Sequence, residues 1–559
     1  MTKTIKPFSD IIWLFGKKCL TLPPRNKQQL NMMTNERKYP IGVQTFSEII
    51  KGDYVYVDKT DLAWKMTKVS KYVFLSRPRR FGKSLLSSTL HSFFAGRKEL
   101  FEGLKVIQLE QEWTEYPVLH FDMSTAKGQE SPNALQNKIL LQLKKYAGLY
   151  GKDDDELTPG GMLEGLIKRA YAKTHRQVAV IIDEYDAPLL EVLHMDEVLP
   201  EYRRVMQEFY QPLKACDPYI KFCFMTGITR LSQMNIFSAL NNLKNISLLP
   251  QFSALCGITE EELSTTLLPD IEMMAEERGC TVEEMKEKLK AHYDGYHFSE
   301  ISPDIYNPFS LLSALSDRKI GNYWFETGTP TFLIQMMRKF NYNITLMDEV
   351  ESTEYAINRP TEAMTTMVPL LYQSGYLTIK DYENESSIYT LTIPNREVRV
   401  GYTDGLLPSY AGLQGEDVQI GFALKFWRAL KKNDLEQALQ EMKTFLAAIP
   451  YVEGFKKKLE EAATAEGFYE YTLWLIFNML NVYARTQVKC AGGRTDMVVW
   501  MPDAIYVLEL KVNGTAKEAL NQINTKGYAI PYATDGRRVV KAGIRFNIDS
   551  RTIDEWIIE

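Results

Sequence analysis

Cysteine is scarce in this sequence and carries no pattern. Cys19, Cys216, Cys223, Cys256, Cys280 and Cys490 are scattered, with no C-x-x-C spacing, which argues against a disulfide framework or a zinc site and for reduced thiols in a cytoplasmic protein. Long apolar runs are missing too. The nearest, Phe468 to Leu480, is interrupted by Glu470 and Asn478, falls short of a bilayer's thickness and is expected to form a core helix. Near the N-terminus, Ile11-Ile12-Trp13-Leu14-Phe15 is too short for a signal-peptide core and runs into Lys17-Lys18, so no secretion is expected. Charge of one sign is also lacking. Lys and Arg number 66 against 71 Asp and Glu, leaving a net charge of −5, so no global field draws the chain to nucleic acid or to an anionic membrane. Any nucleic-acid contact must be local, and no membrane partner is expected.

What is present is a large soluble-type chain. At 559 residues it exceeds what one hydrophobic core normally serves, and two to four domains are expected. The first thirty-odd residues are polar and carry Pro23-Pro24 ahead of Met32-Met33. Residues 1–35 are expected to be a poorly ordered extension, with translation naturally beginning at Met32 or Met33. From Tyr39 onward, apolar strand runs alternate with amphipathic helices: strands at Tyr72–Ser76, Tyr116–Asp122, Gln177–Asp183, Ile220–Thr226 and Ile246–Leu249, and helices between them, one starting at Ile236. That alternation predicts an α/β domain over residues 36–260 with a mostly parallel sheet covered on both faces.

The first chemical motif is Tyr72-Val73-Phe74-Leu75-Ser76-Arg77-Pro78-Arg79-Arg80-Phe81-Gly82-Lys83-Ser84. An apolar strand, a tight turn and a helix start present free backbone N–H groups to an anion, and the helix dipole adds to the attraction. In this phosphate-binding reading Arg79, Arg80, Phe81 and Gly82 form the loop, Lys83 reaches the β- and γ-phosphates of ATP, and the Ser84 hydroxyl ligates Mg²⁺. The first glycine of G-x-x-x-x-G-K-[ST] falls on Arg77, which costs backbone freedom.

The partner motif is Val178-Ala179-Val180-Ile181-Ile182-Asp183-Glu184. A continuous apolar strand ending in two acids puts carboxylates at the sheet edge, where Asp183 would hold Mg²⁺ and Glu184 would polarise the attacking water. On the strand ending Thr226-Gly227-Ile228-Thr229-Arg230, Thr226 or Thr229 is a candidate γ-phosphate sensor, and Arg230 a candidate for stabilising transition-state charge.

Tyr39-Pro40-Ile41-Gly42, Tyr56-Val57-Asp58-Lys59-Thr60, Arg77 to Ser84, Asp183-Glu184-Tyr185-Asp186 and Thr226-Gly227-Ile228-Thr229 together resemble the predicted AAA-type ATPase family of bacteria. The resemblance covers most of residues 36–260. It implies that the R-P-R-R-F-G-K-S loop is a usual form, and that a PD-(D/E)XK nuclease-like domain follows at the C-terminus. Residues 261–450 read as a helical connector or lid, with a winged-helix-like fold as one option. His292-Tyr293-Asp294-Gly295-Tyr296-His297-Phe298 and Tyr306-Asn307-Pro308-Phe309 also resemble the family. The two histidines are five apart, which does not align two ligands on a helix face.

The second chemical cluster lies in residues 451–559. Gly493 to Trp500 and Ile505 to Lys511 flank a Pro502-Asp503 turn. Symmetry about that turn sets Asp496 opposite Glu509, with Cβ atoms roughly 4.5–5.5 Å apart, close enough to share a divalent cation, Mg²⁺ or Mn²⁺. Period-two alternation keeps Lys511 on the face of Glu509 and turns Leu508 and Leu510 into the core. Two metal-binding acids beside a lysine can generate hydroxide and stabilise phosphate charge in a phosphodiester cut. This is the PD-(D/E)XK arrangement, with Asp496 and Glu509-x-Lys511. The resemblance further implies a third carboxylate from Glu470 on the upstream helix and a glutamine at Gln522. Tyr528 stands further from Gln522 than in the usual Q-x-x-x-Y. Arg537, Arg538, Lys541 and Arg545 are candidates to lie along a phosphate backbone.

These features point to an ATP-driven or ATP-gated enzyme acting on nucleic acid. DNA is favoured over RNA, and a role in defence or mobile elements expected, only through the resemblance. A nucleotide-dependent switch or scaffold whose C-terminal domain binds without cutting is the competing reading. Assembly into a homo-oligomer stays open.

Overall fold

In a computed structural model of the chain, the described residues are 37–126, 131–229, 242–325, 347–359, 365–411, 416–447, 465–480 and 482–559, with a few positions between 333 and 342. The expected extension, its Met32-Met33 start, the helix from Ile236 and Arg230 lie outside them. The elements below belong to the unit Tyr39–Glu559.

The N-terminal sheet contains β1 (Tyr72–Ser76), β2 (Val118–Asp122), β3 (Val178–Asp183), β4 (Ile220–Gly227) and β5 (Lys244–Asn245), in the order β2-β3-β4-β1-β5. Every pair in it is parallel. All six residues of β3 are buried, so both faces are covered, which is why this strand reads as an unbroken apolar run. Helices α1 (Lys83–Phe94), α2 (Pro132–Tyr150), α3 (Pro159–Thr174) and α4 (Leu199–Tyr210) follow their strands or pack over them. Proline at the first turn and a Ser131 or Thr158 side chain on an N–H open α2 and α3, the usual N-terminal signals.

The last strand departs from the expectation. Pairing stops at Asn245, and Ile246–Leu249 folds into a turn closed by Leu249 N–H to Ile246 O. The cause is local: the Asn245 side chain accepts the Ser247 N–H, and the Ser247 hydroxyl accepts the Ser76 N–H, so side chains replace the ladder.

The connector begins with helices over Glu260–Thr265, Leu268–Arg278 and Val282–Tyr293, the short pair β6 (Ile258–Thr259) and β7 (Ile305–Tyr306), and α5 (Pro308–Ser316). It is not wholly helical. Strands β8 (Val350–Thr353), β9 (Thr378–Glu383) and β10 (Ile388–Thr392) make an antiparallel sheet in the order β8-β10-β9, followed by α6 (Arg396–Ala411).

The C-terminal region opens with α7 (Ala465–Met479), the core helix expected there, and continues through β11 (Tyr483–Cys490), β12 (Gly493–Trp500), β13 (Ala504–Lys511), α8 (Ala516–Lys526), β14 (Arg538–Asn547) and β15 (Thr552–Ile558). Its sheet runs in chain order and is antiparallel except for the parallel β13–β14 pair, which α8 bridges as a crossover. Met497, Val499, Leu508 and Leu510 join Leu473, Trp474 and Phe477 of α7 on one face. Val498, Ile505 and Val507 join Ile523 of α8 on the other. No described helix is long and apolar enough to cross a membrane.

Candidate functional sites

At the first site, β1 ends in a loop whose left-handed residues are Arg80 (φ 65°) and Gly82 (φ 84°). The position of the missing glycine, Arg77, needs no such freedom. Its buried guanidinium instead straps the loop base to the sheet edge, donating to the carbonyls of Ser76, Ser247 and Phe252 at 3.0, 2.9 and 3.0 Å and lying 4.2 Å from the Phe298 ring centre. The Lys83 ammonium folds back under the loop, 3.1 Å from Arg77 O and 3.0 Å from Pro78 O. Burial pulls its pKa down, opposed by the nearby Glu184 and Asp183 carboxylates.

Lys83, Ser84 and Glu184 line one cavity of about 640 Å³. Ser84 and Asp183 line a second, of about 380 Å³, alongside it. Ser84 therefore stands between the two acids, and its side chain bonds Asp183, whose pKa is pushed up to about 6 chiefly by burial. Glu184 has φ 48° and donates its N–H to Asp183 Oδ1 at 3.0 Å. This strained turn at the strand end sends consecutive carboxylates to different cavities. The donor set fits a hydrated Mg²⁺ held by one hydroxyl and one carboxylate, with phosphate completing the shell.

Several expected loop roles fall differently. Arg80 lines the larger cavity, its guanidinium bonded to Tyr323 O and lying over the Phe309 ring at 4.0 Å. Phe81 packs edge-on against Tyr296 and Phe298, leaving only its backbone for an anion. The Arg79 carbonyl accepts the Trp324 indole N–H at 3.3 Å, while the residue lines the larger cavity. Thr226 does not line that cavity: it is fully buried and its hydroxyl bonds Leu75 O at 2.8 Å, within the sheet. Thr229 is likewise committed, its hydroxyl and N–H both 2.6 Å from Asp186 Oδ2. Asp186 so fixes the turn after β4, where Ile228 is the residue that faces the cavity.

Sequence reasoning missed the far wall. Phe309 of α5, Trp324, Phe325 and Tyr376 close the cavity from the connector. The Tyr306-Asn307-Pro308-Phe309 motif was the only signal. Trp324 N–H donates to Glu397 at 2.9 Å, and burial raises this carboxylate to about 7. Two residues on, Arg399 of α6 pairs with Asp348 at 2.7 Å and lies 3.4 Å from Asn478 of α7.

At the second site, the hairpin register is the symmetric one, with Met497 opposite Leu508 and Val498 opposite Val507. One step further the ladder gives way to side chains. Asp496 N–H donates to Glu509 Oε2 at 3.3 Å, and Leu510 N–H to Asp496 Oδ2 at 2.8 Å. Lys511 Nζ lies 3.5 Å from Glu509 Oε1, which also accepts the Gln522 amide. The Tyr528 hydroxyl is 3.5 Å from that amide, so Tyr528 does join the cluster despite its spacing.

Glu470 meets the group through Gln487, whose amide is 2.9 Å from Glu470 Oε2 and 3.5 Å from Asp496 Oδ1. Gln487 was not foreseen; a left-handed turn (φ 51°) within β11 aims it there. Glu466, one helical turn before Glu470, accepts the Val512 N–H at 3.1 Å and was legible as an i, i+4 partner. Burial raises Glu470 and Glu509 each to about 7, and Asp496 adds to the rise at both; burial also raises Asp496 itself. Two facing buried acids repel, and a divalent cation relieves that repulsion. Among the described residues no three His, Cys, Asp or Glu side chains group closely enough to hold a metal alone. Asp496 and Glu509 therefore fit Mg²⁺ or Mn²⁺ that keeps water and substrate oxygens as its other ligands, with Glu470 in the surround.

Gly543 sets the height of α8 over this site. A Cβ there would lie 2.2 Å from Ala516 O and 2.5 Å from Leu520 N, backbone atoms that must move as a helix. Gly543→Ala is expected to destabilise the protein by about 1–3 kcal/mol and to lift Gln522 off Glu509; an unchanged melting temperature would contradict this packing. Of the proposed backbone-tracking cations, Arg537 pairs with Asp535, Lys541 with Glu559 and Arg545 with Asp554, so three of the four already have carboxylate partners.

A strand order with the loop-bearing strand at β1 and the acid-bearing strand two places away, joined in one unit to a carboxylate-bearing β-hairpin flanked by two helices, defines a P-loop ATPase-like protein with a nuclease-like domain. The model of the predicted AAA-ATPase family matches residues 40–237, and that of the PD-(D/E)XK nuclease superfamily matches residues 464–556. The chain is 31% identical over 535 residues to an uncharacterized protein in the vnfD 5′ region of Azotobacter chroococcum mcd 1, covering 94% of this chain and 99% of that one. The chain belongs to the predicted AAA-ATPase family that carries a C-terminal PD-(D/E)XK domain. Its domain families point to ATPase and nuclease-like activity.

Proposed function

We propose that the protein binds and hydrolyses ATP with Mg²⁺ at the β1–α1 loop and uses that cycle to control metal-dependent phosphodiester cleavage of nucleic acid, DNA in preference to RNA, at the β12–β13 hairpin. The observation that carries the cleavage reading is the contact of Asp496 with Glu509, with Lys511 and Gln522 on the same carboxylate. In the ATP site, Lys83 binds the β- and γ-phosphates, Ser84 and Asp183 hold Mg²⁺, and Glu184, on the cavity side, orients the attacking water. In the hairpin site, Asp496 and Glu509 hold the cation, which supplies an activated water and a Lewis acid when bound. Lys511 stabilises charge developing on the phosphate, and Gln522 orients Glu509. The working boundaries are 36–260 for the ATPase, 261–450 for the connector and 451–559 for the nuclease-like domain. A paired ATPase and nuclease assay with DNA and RNA, with and without divalent metal, tests the whole reading. ATP hydrolysis without cleavage of any nucleic acid would favour the switch or scaffold instead.

Coupling has a physical route. The loop carbonyl of Arg79 holds the Trp324 indole, the Trp324 N–H holds Glu397, and α6 runs from Glu397 past Arg399 onto α7, which bears Glu470. Glu397→Ala removes the acceptor and is expected to make cleavage insensitive to ATP while ATPase activity stays within about threefold. Glu397→Gln keeps an acceptor and should keep the coupling. The pH dependence separates the two roles. Because the folded pKa, about 7, lies above the unfolded value, the folded state holds its proton more tightly and loses stability as pH rises from about 4.5 through 7. Glu397→Gln should therefore stabilise the protein at pH 8 but not at pH 4, by at most about 3 kcal/mol. Equal gains at both values in thermal unfolding would contradict the buried-acid assignment.

A further inference from the structure

We infer that the nuclease-like domain carries a base-stacking platform for single-stranded nucleic acid, built from Tyr483, Trp500 and Tyr532; this rests on the nucleic-acid reading above. Tyr483 and Trp500 are direct cross-strand partners on β11 and β12. Their ring centres are 5.0 Å apart, and Tyr532 stands edge-on to Trp500 at 5.9 Å. Tyr483, on the edge strand β11, is 41% exposed, and Ile530, two residues before Tyr532, is 74% exposed.

The position of the rings gives them their meaning. Trp500 and Tyr532 pack on the α8 side of the sheet with Val498 and Ile505. By period-two alternation Asp496 and Val498 share that side. The platform therefore lies on the same face as the Asp496–Glu509 pair, four residues along β12, about 13 Å away. Arg485, the cross-strand partner of Val498, sits between them. Its half-exposed guanidinium is paired with Glu349 at 2.9 Å, and Lys511 stands at the far end.

Aromatic faces in line with a phosphate-cutting site and flanked by cations match the needs of unpaired bases, since every base offers a π-face to stack on and its backbone is drawn to positive charge. Within a duplex the bases are already stacked on each other and only the terminal pair has a free face, so the rings offer far less to paired than to unpaired bases. The occupant is accordingly a single strand or a single-stranded overhang that threads from the rings to the carboxylates.

The test is equilibrium binding of labelled oligothymidylate and of a blunt duplex to full-length protein in a Glu509→Gln background, which leaves the probes intact. Replacing Tyr483 and Tyr532 together by Ala is expected to weaken oligothymidylate binding at least about 10-fold, the scale of one lost base–ring stack, and to leave blunt-duplex binding within about twofold. Tyr483→Phe, which keeps the ring, should bind as the parent does. Trp500→Leu, checked by thermal unfolding because Trp500 is half-buried, should reproduce the selective loss. Unchanged single-strand affinity in the double variant, or equal losses on both probes, would overturn the platform while leaving the nucleic-acid reading intact. Failure of the parent to bind either probe would remove both.

Discussion

Glu509→Gln is expected to abolish metal-dependent cleavage, with a rate loss of about 1,000-fold or more, while leaving the fold intact. Glutamine matches glutamate in shape, and the loss is of charge. Glu509 is 1% exposed, accepts bonds from Asp496 N–H, Lys511 and Gln522, and with Asp496 forms the only pair of acids facing each other across the described hairpin. Removing one anionic ligand from a two-carboxylate site forfeits several kcal/mol of metal-mediated transition-state stabilisation, and each 1.4 kcal/mol is a factor of ten. Mn²⁺ binding measured by calorimetry should fall in parallel. ATP hydrolysis in the same preparation should be unaffected, which separates a local chemical loss from unfolding. Lys511→Ala should lose less, because the cation remains. Cleavage at wild-type rate by Glu509→Gln would place the chemistry elsewhere.

Lys83→Ala is expected to weaken ATP binding by about 100-fold and to end hydrolysis. Its ammonium is buried, 5% exposed, and already directed into the curve of the loop by the Arg77 and Pro78 carbonyls, so phosphate oxygens compete for a donor that is in place. Each charge-assisted bond lost is worth about 1.5–3 kcal/mol. Glu184→Gln gives the contrasting result. Glutamine keeps the shape of this cavity-lining side chain, so ATP should bind nearly as in the parent while phosphate release slows about 100- to 10,000-fold, the range for loss of a general base. Equal turnover in parent, Lys83→Ala and Glu184→Gln would contradict both assignments.

The features legible from sequence are the local ones. A two-residue Pro502-Asp503 turn fixes the register of its own hairpin, so the meeting of Asp496 and Glu509 follows from counting outward. Strand β3 announces itself because both its faces are covered, and the acids that follow it must emerge at the sheet edge. What was illegible depends on distant chain. Arg77 looks like a defect in a glycine position until Ser247 and Phe252 supply carbonyls from 170 and 175 residues away. Trp324 and Glu397 are 73 residues apart, and no periodicity links them. Thr226 occupies a plausible sensor position in the sequence, yet its hydroxyl turns into the sheet to Leu75. Tyr528 seems too far along from Gln522 until the helix stops at Lys526 and Gly527, at φ 67°, turns the chain back. The β9–β10 hairpin hid because half of β9 is exposed and polar, so its apolar alternation is weak.

The central claim, that occupancy of the Lys83 loop governs cutting at the Glu509 hairpin, is tested most directly by measuring DNA cleavage by the full-length protein in Mg²⁺ with and without ATP, beside Glu184→Gln and Glu509→Gln. The account predicts cleavage whose rate changes at least about threefold with ATP, a response locked in one state by Glu184→Gln and no cleavage at all from Glu509→Gln. Brisk ATP hydrolysis with no cut in any DNA or RNA, in Mg²⁺ or Mn²⁺, would contradict it.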